Sequence, residues 1–428
     1  MKNTAKNSSG LDIRFNKAQR HQHEFRDICL DELVSADHQV RSVWAYVGSL
    51  DLSQFYAGYH AVEGKAGRNP VDPCILLTLW LFATIEGITS GRRVAKLCKR
   101  DAVYMWICGN VGVNYNMVND FRVQHLEALQ DLMTQTIAIL QHNGLIDFKR
   151  ISQDGVRVRA HAGKSSFRKK ETLEELLEEA SAEVEKVLTS LEDDSSEQKK
   201  AADVHASLDR QNRIEEALRQ YQDLAAQREK RKKGDGEKTR VSTTDPDARI
   251  MKMSDGGFRP AFNVQAGTLN DSRIIVGIEV TNAGTDSGQM EPMLDQIESD
   301  FCKRPQEILA DGGYNSKEDV TDVEKSQTKV FSPVRKARKS DADPHERRRG
   351  DSDEVAAWRQ RMKTESAKEI YHERCSTAEF PFARFRNHGL YQFPVRGIPK
   401  VKAIAVWHAL VHNFQQIVTQ GWLSTVTG

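Results

Sequence analysis

A helical region followed by an α/β domain, its sheet interrupted by a charged helical segment, is the fold class that this 428-residue sequence predicts. Residues 31–143 repeat apolar side chains every three or four positions without sustained alternation, the signature of amphipathic helices. Beyond Gly144 the texture changes to short runs of β-branched and aromatic residues bounded by Asp-Gly and Asn-Asp pairs, which read as strands and turns. Between the first such run and the next, residues 164–240 are dense in Glu, Lys, Arg and Gln, with apolar residues again at helical spacing. The expected layout is therefore a helical amino-terminal domain (1–143), the first strand of the sheet domain (144–163), a helical insert (164–240) and the remainder of the sheet domain (241–428).

In the amino-terminal part, residues 64–73 (GKAGRNPVDP) read as a loop, and Pro73 suits the first turn of a helix carrying Leu76, Leu77, Trp80 and Leu81. Its apolar run, residues 74–83, is too short to span a bilayer, and the polar residues 1–16 lack the apolar core of a secretory signal. A cytoplasmic protein is expected. Thr89 and Ser90 can cap a helix that buries Val94, Ala95 and Leu97 and offers Arg92, Arg93, Lys96, Lys99 and Arg100 on its other face. That face suits phosphates or simply water.

Residues 145–152 (LIDFKRIS) read as a strand running into Asp154-Gly155. Residues 262–266 and 274–280, separated by Asn270-Asp271, read as a hairpin, and residues 308–310 as a short strand entering Asp311-Gly312-Gly313. A further strand is expected at 329–334, and helices close the chain. In the charged segment, Leu173, Leu176, Leu177, Ala180, Val184, Val187, Leu188 and Leu191 form one stripe. Ile214, Leu218, Tyr221 and Leu224 form a second, after the breaker-like Asp193-Asp194-Ser195-Ser196. An antiparallel helical hairpin is expected. Its basic exit, residues 228–233, reads as a solvated tail or a nucleic-acid contact.

Charge and cysteines exclude more than they assign. Lys plus Arg total 62 against 61 for Asp plus Glu, so any nucleic-acid surface must come from local clustering. The six cysteines show neither a CxxC pair nor zinc-finger spacing and are expected to be thiols. Asp154 and Asp311 each follow a short strand and precede glycine, so parallel neighbouring strands would aim both carboxylates into the crevice at their carboxyl ends. Alone, Asp-Gly is chiefly a turn signal.

Four stretches carry a family resemblance. TTDPDARIMKMSDGGFRPAFNVQ (243–265) resembles the approach to the second strand of bacterial insertion-sequence transposases of the DDE class. TNAGTDSGQMEPML (281–294) with ADGGYNS (310–316) resembles their segment around the second catalytic aspartate, and YHERCSTAEFPFARFR (371–386) their Tyr-Arg-Glu-Lys signature. GRNPVDPCILLTLWLFATIEGITSGRRV (67–94) and NMVNDFRVQH (116–125) resemble the helical domain that precedes catalysis there. The resemblance runs from about residue 25 to 415 and omits the charged segment.

It implies a ribonuclease H-like mixed sheet flanked by helices, preceded by an all-α DNA-binding domain. Asp154, Asp311 and Glu379 become the catalytic, metal-binding acids, separated by 157 and 68 residues. Two Mg²⁺ or Mn²⁺ ions about 4 Å apart would be held by these hard oxygens, with Asp154 bridging, Asp311 on one ion and Glu379 on the other. Tyr371, Arg374 and Arg386 are implied to meet DNA phosphates, joined by Arg92, Arg93 and Lys96 of the amino-terminal face. Two departures stand out: four residues separate Arg374 from Glu379, one more than in the compact signature, and Arg386 replaces its lysine. Implied partners are double-stranded DNA, as element terminal repeats and target, and a second copy of the chain on that DNA. The compartment implied is the bacterial nucleoid.

Other readings compete. Glu379 also closes a Ser-Thr-Ala-Glu capping box, although Pro381 would then fall in the second turn, so a helix starting nearer Glu379 fits better. His408 and His412 stand at i and i+4 as in zinc hydrolases, but without the glutamate of H-E-x-x-H and on a core-facing helix. A transposase-derived DNA-binding protein without catalysis, or a nuclease of the same fold, are the alternatives to transposition.

Overall fold

The structure is a computed structural model describing residues 29–57, 70–189, 197–335 and 343–428. Leu191, the break at 193–196 and the start of the 64–73 loop lie outside the described residues, as do residues 1–28.

The amino-terminal helices are α1 (Gln39–Gly48), α2 (Ser53–Tyr56), α3 (Pro73–Ile85), α4 (Gly91–Leu97), α5 (Ala102–Cys108), α6 (Tyr115–Gln124) and α7 (Leu126–His142). Pro73 opens α3, and the Asp72 carboxylate accepts the Cys74 N–H at 2.8 Å, so the first turn is capped before the apolar run begins. Apolar on every side, α3 is the central helix of this region, with Leu77 and Leu79 wholly buried. No described helix is long and apolar enough to cross a membrane. On α4, Ser90 accepts the Arg93 N–H, Val94 and Ala95 are buried, and Arg92, Arg93 and Lys96 are exposed, as the sequence pattern predicts.

The sheet begins with β1 (Arg150–Arg159), and after it come β2 (Phe167–Arg168), α8 (Lys170–Thr189), α9 (Glu197–Arg231) and β3 (Val241–Ser242). β4 (Arg249–Lys252), β5 (Phe258–Leu269) and β6 (Ile275–Thr281) precede α10 (Met290–Phe301), β7 (Glu307–Leu309), α11 (Lys317–Lys325) and β8 (Lys329–Phe331). β5 runs antiparallel to β1, and its other edge takes β4 along residues 258–261 and β6 along 263–268. On the far side β1, β7 and β8 are parallel. The sheet is thus mixed, antiparallel on one half and parallel on the other. The expected hairpin is β5 and β6, closed by the Leu269 N–H on the Ile274 carbonyl at 2.9 Å.

The first strand differs from its expected position. Pairing starts at Arg150 and continues through Asp154-Gly155 to Arg159, because β5 offers partners along the whole length. Gly155 is therefore a close-packing residue: a Cβ there would lie 2.2 Å from Gln265 Nε2 and 2.8 Å from Asp286 Oδ1.

α8 and α9 lie side by side and antiparallel, Ser181 meeting Gln211 and Glu183 meeting Arg210. Leu173, Ala217, Tyr221 and Val241 form a small apolar cluster of their own. Leu188, expected in the stripe, is exposed. The basic exit is helical through Arg231, and Glu229 then accepts the N–H groups of Gly234 and Gly236, which fixes the turn.

α12 (Asp353–Arg361), α13 (Glu365–His372), α14 (Arg374–Thr377) and α15 (Phe380–Asn387) lead to the long α16 (Ile398–Thr419) and the short α17 (Leu423–Thr427). α16 joins both halves. Its Asn413 side chain bonds the backbone N–H and carbonyl of Ile275, both at 2.8 Å, while Trp407 Nε1 donates to the Arg122 carbonyl at 3.0 Å. Burial of large apolar side chains on such a helix contributes roughly 2 kcal/mol each. His408 and His412 belong to this buried face: burial pushes both imidazoles down to about 3, and His412 Nε2 lies 2.8 Å from the Arg273 carbonyl.

Candidate active site

Register brings the two aspartates together. In the parallel β1–β7 ladder Arg150 pairs with Glu307, Ile151 with Ile308 and Ser152 with Leu309. Each pair is 157 residues apart, the same separation as Asp154 and Asp311. β7 ends at Leu309, so Asp311 leaves the sheet beside Asp154, on the same side of the pleat. The Asp311 carboxylate accepts the Gly313 N–H at 2.6 Å, which folds the DGG turn tightly over the strand end. Arg335 donates to the Gly312 carbonyl across that turn.

The opening is electrostatically strained towards negative charge. Burial raises the Asp154 carboxyl from 3.8 to about 6, the Arg374 guanidinium and the Gly155 N–H pull it down, and the charges of Asp311 and Asp286 push it further up. Arg374, itself buried, sits 3.1 Å from Asp154 Oδ1. Tyr371 joins them: burial raises its phenol, Arg374 opposes that shift, and Asp311 and Asp154 add to it. Four of the expected site residues, Asp154, Asp311, Tyr371 and Arg374, are thus brought to one opening.

Glu379 is placed apart from that group. It caps α15 without a side-chain bond and is exposed; its carbonyl accepts the Ala383 N–H at 3.1 Å, while its carboxylate has no hydrogen bond or ion pair among the described residues. Among the described residues no three His, Cys, Asp or Glu side chains are grouped closely enough to hold a metal ion. No helix starts at Ser376, which lies inside α14, so the capping box is not formed, and Pro381 sits in the first turn of α15. Arg386 lies seven residues on from Glu379, along the same side of α15, exposed and without an acidic partner among the described residues. Glu373, the nearest preceding carboxylate, is engaged: it pairs with Arg150 at 2.6 Å and accepts from Asn270 at 3.2 Å. Arg92, Arg93 and Lys96 remain on α4, and Arg92 stacks over Tyr115 at 5.1 Å.

A third aspartate escapes sequence reasoning. Asp286 accepts from Asn263 at 2.7 Å, Gln265 at 2.9 Å and Arg157 at 2.9 Å. Gln265 in turn accepts the hydroxyl of the buried Tyr314 and the Gln153 amide, so one network ties β1, β5 and the two loops beneath the opening. Its signal was present: Asn263 and Gln265 are polar at strand spacing inside an otherwise apolar run, which puts both amides on one buried face.

Two family models match the chain. Residues 28–124 match a model described as Transposase domain (DUF772), and residues 235–414 match one described as Transposase DDE domain. No curated protein and no solved structure matches. Both are models of transposase domains, the first lying over the amino-terminal helices and the second running from the end of α9 onward.

Proposed function

We propose that the chain is a transposase of the DDE type, which cuts DNA phosphodiesters at the ends of an insertion element and joins the freed 3′ ends to target DNA. The observation that carries this reading is the β1–β7 register, which sets Asp154 beside Asp311 at the carboxyl end of a parallel pair. A mixed sheet in which β5 pairs antiparallel with β1, β4 and β6, and β1 continues into the parallel β7 and β8, supports the ribonuclease H-like assignment.

The residues fit a hard divalent cation. Asp154 and Asp311 offer carboxylate oxygens, and their mutual repulsion at a buried position is what a cation relieves. A positive group, Arg374, already stands there. Mg²⁺ or Mn²⁺ would be held by Asp154 and Asp311, and by Glu379 only once α15 carries it to them, and would supply charge neutralisation at the phosphate and an activated oxygen nucleophile. That the Glu379 carboxylate has no partner among the described residues, whereas Glu373 is engaged by Arg150, supports Glu379 as the third acid.

The chain's other groups bind and orient. Tyr371, protonated at neutral pH as any phenol is, donates to a phosphate oxygen, and burial with the nearby aspartates holds that proton more firmly still. Arg374 keeps Asp154 ionised and offers its fork to the same phosphate. Arg386 on α15 and Arg92, Arg93 and Lys96 on α4 hold the duplex away from the scissile bond. A homodimer on DNA, one copy per element end, completes the reading. The test is incubation of labelled element-end duplex with Mg²⁺ and a target plasmid. Nicking with transfer of the label to the plasmid is the expected result, and nicking without transfer would make the chain a nuclease.

A further inference from the structure

Between the end of α9 and the loop before Asp286 lies a pocket of about 670 Å³ whose charged lining residues are all cationic: Arg228, Arg231, Lys238, Arg240 and Arg249. No acidic residue lines it. The opposite wall is the loop 282–285, which follows β6. Asp235 stands by Lys238 and Arg228, and Asp247 and Asp245 stand by Arg249, which leaves Arg231 and Arg240 as the two without a nearby carboxylate among the described residues. Among the described residues Arg231 and Arg240 are exposed without an ion pair, the Arg228 side chain donates to the Lys238 carbonyl at 3.3 Å, and Arg249 is spent on two backbone carbonyls and Gln220. Lys238 alone is paired, with Asp235 at 2.9 Å. With Arg231 and Arg240 uncompensated and no acidic side chain in its lining, the hollow carries positive potential that favours an anion.

The pocket is mechanically joined to the acids. The Gly284 carbonyl in its wall accepts from Arg157 at 3.3 Å, and the same guanidinium pairs with Asp286, whose Oδ1 stands against Gly155, the residue after Asp154. We infer that this pocket is a binding site for the phosphodiester backbone of duplex DNA, holding phosphates of the strand that runs on from the scissile bond between Asp154 and Asp311. The inference rests on the transposase reading and adds to it a place where the α8–α9 hairpin grips substrate. It also explains why the hairpin's basic exit is an ordered helix end closed by Glu229.

The experiment uses the full chain with Arg231→Gln and Arg240→Gln together, and a control that removes the same charge elsewhere, Lys303→Gln with Lys325→Gln. Binding of a fluorescein-labelled duplex is followed by anisotropy at several salt concentrations, alongside Mg²⁺-dependent nicking of that duplex by the unaltered chain. Thermal unfolding checks that both variants are folded. The expected result is at least a fivefold loss of affinity in the pocket variant, with a salt slope shallower by one to two units, and little change in the control. Equal affinity and slope in the pocket variant, with nicking intact, would overturn the pocket while leaving the transposase reading standing. Loss of binding to inorganic pyrophosphate but not to duplex would also overturn it, in favour of a small-anion site. A chain that neither binds nor nicks duplex would overturn both.

Discussion

The guanidinium of Arg374 lies 3.1 Å from the Asp154 carboxylate, while the preceding residue, Glu373, is locked to Arg150 four positions earlier on β1. Two consecutive residues therefore clamp α14 to the strand that carries the first acid. Arg374 acts as a resident counter-cation wherever a metal ion is absent. Arg374→Gln is expected to destabilise the metal-free protein by about 1–3 kcal/mol, since it leaves a buried carboxylate unpaired. At pH 7.5 or above, where Asp154 is ionised, the same change should tighten Mn²⁺ binding several-fold. Calorimetric titration with Mn²⁺ and unfolding in chelator measure the two effects, and weaker Mn²⁺ binding in the variant would contradict the counter-cation role.

Acidity gives a second handle. The Asp154 carboxyl rises from 3.8 to about 6 on folding, so between those values the folded chain holds a proton that the unfolded chain has released. Its contribution to stability is greatest in acid, declines as pH rises towards about 6, and is level above that. Divalent-ion binding must expel this proton below about 6. Mn²⁺ affinity should therefore fall roughly tenfold per pH unit on going below that point, well before an ordinary carboxylate would protonate. A pH series of Mn²⁺ titrations decides it, and affinity that stays level down to pH 4.5 would remove Asp154 from the ligand set.

Cutting and binding should separate at the three acids. Asp154→Asn, Asp311→Asn and Glu379→Gln are each expected to lower nicking of an element end by a thousandfold or more, because removing one ligand loses the in-line geometry. Duplex affinity should persist. Glu373→Gln is the contrast: it loosens the clamp on β1 and should cost stability more than chemistry. If Glu379→Gln nicks at the unaltered rate, the third acid lies elsewhere.

Beneath the opening, Gly155 has no room for a methyl group. Gly155→Ala should displace Gln265 and Asp286 and destabilise the fold by about 1–3 kcal/mol. Asp286→Ala strands three donors, from Arg157, Asn263 and Gln265, and should cost about 2 kcal/mol or more. Denaturant unfolding reads both changes, and midpoints equal to the unaltered chain would show the network to be dispensable.

Much of the fold was legible because periodicity reports burial directly. The α3 core run, the exposed basic face of α4, the β5–β6 hairpin and the apolar side of α16 all follow from spacing. The pairing of Asp154 with Asp311 was legible only as a condition, that their strands be parallel neighbours, because register across 157 residues is set by tertiary packing. β1 runs past the strand its sequence predicts for a physical reason: Asp-Gly is ordinarily a turn, and only the closeness of Gln265 and Asp286 explains a glycine within a strand. Asp286 itself was hidden because its partners are distant in sequence. The cationic pocket combines residues from both sides of β3, which composition cannot juxtapose.

The last long helix carries a consequence for how the chain is made. Trp407 on α16 bonds the Arg122 carbonyl 285 residues upstream, and His388, ahead of that helix, bonds the Ile85 carbonyl 303 residues upstream. During synthesis at roughly 5–20 residues per second, the first helices must wait many seconds for the partner that completes their packing. Until then the apolar sides of α3, α6 and α7 stand open to chaperones. Ribosome stalling or premature termination anywhere before residue 398 should leave these helices without α16 and send the product to proteolysis, so a shortened copy of the gene would yield no stable competitor for DNA ends.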